Sequence, residues 1–169
     1  MFKIKHPVKK KTYLDRIVPI FEINKEFRIG SFAPQIYNQY SVDRIIEIFS
    51  KKELLAGELR SSDDYVTGAP EHRHRFISDA THIITGIFQE DNFLMVHLRF
   101  IDNNKGRDAL KMLGEGIVVL QPTIKGRINR KWDREDPGII EVNDLISIDL
   151  IPLRDEYLPQ DIDWIEINS

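Results

Sequence analysis

Five histidines, a scatter of hydroxyls and no cysteine bound the chemistry open to this chain of 169 residues. Without a thiol there is no thiolate nucleophile, no disulfide and no Cys-ligated zinc. His72 and His74, with Glu71 beside them, are the one metal-like spacing, because residues i and i+2 of an extended chain share a face. His82 stands close enough in sequence to approach them from a neighbouring strand. No carboxylate sits at a ligand spacing, so the plainer reading makes His72 and His74 structural or solvent-facing, with no metal and no cofactor. His97 alternates with Met95 and Arg99 and reads as a surface strand residue.

A nucleophilic mechanism needs a hydroxyl, a base and a group that orients the base. Ser61, Ser62, Ser78, Thr81, Thr85 and Thr123 are the hydroxyls, and His72, His74 and His82 are the bases. Spacing alone selects none of them, and there is no G-x-S-x-G elbow. Lys105-Gly106-Arg107 has too few glycines to cradle a phosphate. Trp132 among Arg127, Arg130, Lys131 and Arg134 has the makings of a nucleic-acid stacking site. Asp133, Glu135 and Asp136 interleave with these, so a solvated mixed-charge loop is the plainer reading.

The elements that position these residues belong to one ordinary domain. Hydrophobic residues make up 41% and charged residues 30%, which does not predict disorder. The net charge of −3 gives no global attraction to nucleic acid or anionic membrane. No apolar run is long enough to span a bilayer, and the basic N-terminus lacks a signal core, so the expected location is cytoplasmic or particle-bound. Residues 1–16 form a basic arm that includes Lys9, Lys10 and Lys11, and any nucleic-acid contact would run through it. Residues 17–152 form the domain, and residues 153–169 form an acidic tail.

Within the domain, residues 17–23 form an apolar run that Pro19 demotes to an edge strand or to an extended entry segment. Ser41 is predicted to cap a helix whose Val42, Ile45, Ile46 and Phe49 share a face. Residues 54–59 form a short strand, followed by a long polar loop over 60–75. Residues 82–88 and 93–100 form a hairpin around Gln89-Glu90-Asp91-Asn92. Asn103 or Asn104 caps a second helix, with Ala109, Leu110 and Leu113 buried and Gly114 as its stop. Residues 117–120 form a strand that turns away over 121–126, and 139–142 and 145–151 form two more. The expected class is α+β: a mostly antiparallel, barrel-like sheet with two or three flanking helices.

Five boxes then stand in a telling order. Gly57-Glu58-Leu59 follows the first helix, and Thr81-His82-Ile83-Ile84 opens the hairpin. Ile101-Asp102-Asn103-Asn104-Lys105-Gly106 leads into the second helix, and Gly116-Ile117-Val118-Val119 follows it. Val142-Asn143-Asp144-Leu145-Ile146-Ser147-Ile148-Asp149-Leu150-Ile151-Pro152 closes the set. Over residues 28–152 this order resembles the prohead (capsid maturation) proteases of tailed phages, whose fold is related to herpesvirus assemblin.

The resemblance implies that His82 matches the histidine of the family's Ser-His box. The departures fall on the chemistry. Arg60-Ser61-Ser62 stands where the family has a histidine after G-E-L, and Gln121-Pro122-Thr123 stands where it has the nucleophilic serine. Lys125-Gly126 keeps the basic residue and glycine that follow that serine. A retained frame with a lost nucleophile implies a non-catalytic, head-associated structural or assembly protein, in the virion or the host cytoplasm. It would bind capsid or scaffold proteins within a larger assembly, with Lys9, Lys10, Lys11, Arg60 and Lys125 as contacts. The alternatives are an active serine-type or threonine-based maturation protease using His82 and Thr123, or an unrelated small binding module.

Overall fold

Asn38, rather than Ser41, starts the first helix. In the computed structural model, which describes residues 12–27, 34–60, 79–129 and 137–153, α1 spans Gln39–Lys51. Asn38 has extended backbone, and its Oδ1 accepts from Ser41 N at 2.9 Å, satisfying an amide that the helix leaves unpaired. Ser41 lies one turn inside and sends its hydroxyl to Ile140 O at 2.6 Å. Val42, Ile45, Ile48 and Phe49 are buried, and Ile46 is only partly so. Each such side chain contributes about 1.5–3 kcal/mol on burial.

The second helix, α2 (Asn104–Gly114), is capped by Asn103, whose Oδ1 accepts from Gly106 N at 2.8 Å. Its stop is Gly116, not Gly114. Gly116 sits at φ +72, with its N–H on Leu113 O and the N–H of Ile117 on Met112 O. That pair of bonds is a Schellman ending, which needs a left-handed residue at this position. Ala109 and Met112 are buried in the core, while Leu110 and Leu113 pack at its edge.

The strands are β1 (Asp15–Glu22), β2 (Gln35–Ile36), β3 (Ala56–Gly57), β4 (His82–Glu90), β5 (Phe93–Phe100), β6 (Val118–Asn129) and β7 (Gly138–Pro152). They form two sheets, β1-β5-β4-β3 and β2-β7-β6. Among the described residues, all pairings between these strands are antiparallel except β2 with β7. Pro19 lies in β1 at a bulge and on a sheet edge, where its missing N–H is tolerated. The β4–β5 hairpin closes at Asp91 and Asn92, with Asp91 at φ 51. The fold is α+β, mostly antiparallel and curled into a half-barrel, with two helices among the described residues.

Residues 55–60 stitch the sheets together. Ala56 and Gly57 pair with β4. Beyond them Leu150 N donates to Glu58 O, and Arg60 N donates to Leu150 O, each at 2.9 Å. One short segment is therefore antiparallel to β4 and then parallel to β7. The most buried apolar side chains of the core include Ile45, Ile84, Leu98, Leu145, Ile148 and Leu150.

Three strand expectations are corrected. Residues 121–126 do not turn out of the sheet, because β6 runs unbroken through Pro122 to Asn129. As an edge strand it has one hydrogen-bonding neighbour among the described residues, and bulges at Thr123/Ile124 and Lys125/Gly126 absorb its irregular register. The two late strands are one, since Asn143 and Asp144 stay in the ladder of β7. His97 is buried, not a surface residue. Strand β5 is flanked by β1 and β4, and the Asp15 carboxylate of β1 comes to 3.6 Å from His97 Nε2.

Candidate functional site

His82 opens β4 and is completely buried. Its Nε2 lies 2.7 Å from Ile148 O, and its Nδ1 lies 2.8 Å from Thr81 Oγ1. A carbonyl can only accept, so Nε2 carries the proton and Nδ1 accepts from the threonine hydroxyl. Burial pushes the pKa of His82 down, partly offset by the Ile148 hydrogen bond and the charge of Asp149. The ring is therefore held neutral, with both nitrogens used inside the protein.

Gly57 explains how the imidazole reaches β7. A Cβ at this position would lie 1.9 Å from Ile148 O and 2.2 Å from His82 Nε2. Only glycine lets the His82–Ile148 bond pass so close to the backbone. The glycine of the G-E-L box thus has a local, physical reason.

Beside this bond lies a buried carboxylate. Asp149 is fully buried, and its Oδ2 accepts from Thr123 Oγ1 at 2.6 Å and Ser147 Oγ at 2.9 Å. Its Oδ1 accepts from Glu58 N at 3.0 Å. The sequence places these groups directly: Thr123 faces Ser147 across the β6–β7 ladder, and Asp149 is two residues along β7 on the same face. Ser147 and Asp149 were missed as site residues. Their signal was a pair of polar residues at i and i+2 within a strand that is otherwise strongly apolar.

Of the sequence-predicted site residues, His82 and Thr123 both face this seam from different strands, but each is committed to another partner. Thr123 is 2% exposed, with its hydroxyl on Asp149 rather than on a histidine. Arg60 is buried, and its Nη1 pairs with Glu58 Oε2 at 3.0 Å. Lys125 is exposed on the outer half of β6. Lys9, Lys10, Lys11, His72, His74 and Trp132 lie outside the described residues.

A second polar cluster lies on the other sheet. Arg99 Nε and Nη2 bind the two oxygens of Asp15 at 2.8 and 2.9 Å, and Thr12 N adds a third contact at 2.7 Å. The Arg99 guanidinium leads in holding the Asp15 carboxyl down at about 2, with burial opposing it. This cluster ties edge strand β1 to β5.

No protein-family model and no curated protein sequence matches this chain. Among solved structures, that of the bacteriophage T4 capsid assembly protease, gp21, is similar, with a TM-score of 0.60. The match covers 91% of this chain and 92% of that one, at 14% sequence identity. The fold is prohead-protease-like. At this identity the similarity extends to the backbone frame, and the chemistry has to be read from the residues themselves. No helix among the described residues is long and apolar enough to cross a membrane.

Proposed function

We propose that this chain is a non-catalytic, head-associated structural or assembly protein of a tailed phage. In this reading it uses a prohead-protease-like frame to bind capsid, scaffold or internal head proteins. The observation that carries the reading is the state of His82: both ring nitrogens are spent on Thr81 and Ile148, leaving none to take a proton from Thr123. A general base must sit within hydrogen-bond reach of the proton that it abstracts. Thr123 supports the same conclusion, because it is buried and donates to Asp149. A carboxylate already accepting from Thr123, Ser147 and Glu58 N serves here to hold β6, β7 and the stitching segment together. Contact with partners falls to the exposed Lys125 and to the arm lysines Lys9, Lys10 and Lys11.

Quantitative mass spectrometry of purified mature heads tests this reading. Many intact copies of the chain per particle are the expected result. Its complete absence from both immature and mature particles would overturn the assignment to the head.

A further inference from the structure

Helix α1 buries one face and leaves the other bare. Val42, Ile45, Ile48 and Phe49 seat it on the core, and Ser41 ties it to Ile140 O, so it is a firmly held platform. On its solvent side Tyr40, Arg44, Glu47 and Lys51 recur at i, i+4, i+7 and i+11, which aligns them in one stripe along the helix. Tyr40 is 72% exposed, with no ring partner among the described residues, and the Lys51 side chain is 71% exposed. Both cations of the stripe share one carboxylate, since Glu47 takes Arg44 at 3.2 Å and Lys51 at 3.3 Å. These pairs stay within the helix, and at such exposure each is weak. Beside the stripe runs a groove of about 690 Å³, with Tyr40, Arg44 and Glu47 on one wall and Ile139 and Glu141 of β7 on the other.

The stripe is complementary to itself. Arg44 with Glu47, and Tyr40 with Lys51, share one midpoint, between Ile45 and Ile46. A two-fold axis through that point lays a second α1 antiparallel on the first, and every contact then occurs twice. Arg44 meets Glu47 of the second copy about 2 Å from the axis, and Tyr40 meets Lys51 of the second copy about 8 Å from it. Opposite charges pair at the centre, and an ammonium lies over an exposed phenol ring at each end. The register is specific. Sliding one helix by three residues in either direction sets Arg44 against its own copy or Glu47 against its own copy, which like-charge repulsion disfavours.

We propose that this face of α1 is a homodimer contact, on which a second copy of the chain packs its own α1 antiparallel. The groove takes the apolar stem of the second copy's Lys51 between Tyr40 and Ile139, which is itself 40% exposed. A pair of 13-residue helices is about 20 Å long and covers less than the roughly 1,200 Å² of a standard interface. The contact is therefore weak and reversible, and suits copies that are held close together. It involves no residue of the His82 seam, so it is independent of the proposed function.

Sedimentation equilibrium of the full chain at low ionic strength tests the contact. A reversible monomer–dimer equilibrium is expected, shifting toward monomer as salt rises. Arg44→Glu and Glu47→Arg should each weaken association more than about tenfold, because like charges then meet across the two-fold axis. Mixing these two variants in equal amounts should restore association, since the acidic stripe of one meets the basic stripe of the other. Both positions lie outside the core, so each variant is expected to keep the thermal unfolding of the wild type. A wild-type chain that stays monomeric at the highest attainable concentration would overturn the proposal. So would association that neither substitution alters, which would put the interface on another face, or folded variants that fail to associate on mixing.

Discussion

The seam around His82 and the clamp around Asp15 each place a histidine and an aspartate inside the protein, yet they are built on opposite principles. At the seam, Asp149 collects two hydroxyls and a backbone amide, and His82 faces a hydroxyl and a carbonyl. The groups come from β4, β6, β7 and the stitching segment, so the seam fixes how the two sheets meet. At the clamp, Asp15 is neutralised by Arg99, which is 32% exposed, and the bond links only neighbouring strands. A buried network of hydroxyl and amide donors on a carboxylate joins several strands, whereas an ion pair between buried Asp15 and half-buried Arg99 holds down one edge.

The largest way to break that contrast is Gly57→Ala. The new methyl would overlap Ile148 O and the His82 ring, and two backbones would have to separate. A loss of more than about 4 kcal/mol is expected in chemical denaturation, enough to leave the chain largely unfolded. Asp149→Ala comes next, at about 3 kcal/mol, because it strands the partners of a buried carboxylate. An unfolding curve for Asp149→Ala that overlays the wild type would show that the seam does not hold the sheets.

Acid separates the two clusters by window. Asp15 has a folded pKa of about 2 against an ordinary 3.8. Its contribution of about 2 kcal/mol is complete above pH 3.8 and is lost as pH falls through 2. Asp15→Asn should remove that acid limb. His82 also has a lowered folded pKa, so its neutral form is the one that folding favours. Stability is full above its ordinary 6.5 and declines as pH falls below it, by at most about 1.4 kcal/mol per unit. His82→Gln keeps a donor for Ile148 O and cannot titrate, so it should fold and lose this slope. Retention of the slope in His82→Gln would assign it to another group.

Much of this fold was legible because local signals agreed with the tertiary structure. Helix α2 was visible from a cap at Asn103 or Asn104, and the β4–β5 hairpin from the alternation of Leu94, Val96, Leu98 and Phe100. Strand β6 was misread because Pro122 and Gly126 are turn residues by propensity, while a sheet edge with bulges accepts both. For the candidate site, His82 was visible through the order of boxes, but its carboxylate neighbour was not. Asp149 becomes informative only when β7 is registered against β6 and Thr123 falls opposite Ser147. The spent state of both His82 nitrogens is equally a property of packing, since Ile148 contributes a carbonyl that no sequence pattern marks.

The proposed function requires that this chain does not cut head proteins. The most direct test incubates the full chain with unprocessed head proteins and maps every new N-terminus, comparing wild type with Thr123→Val and His82→Gln. The account predicts the same termini in all three samples and in a control without the chain. New termini at defined sites that appear with the wild type and vanish in both variants would contradict it and make Thr123 a nucleophile.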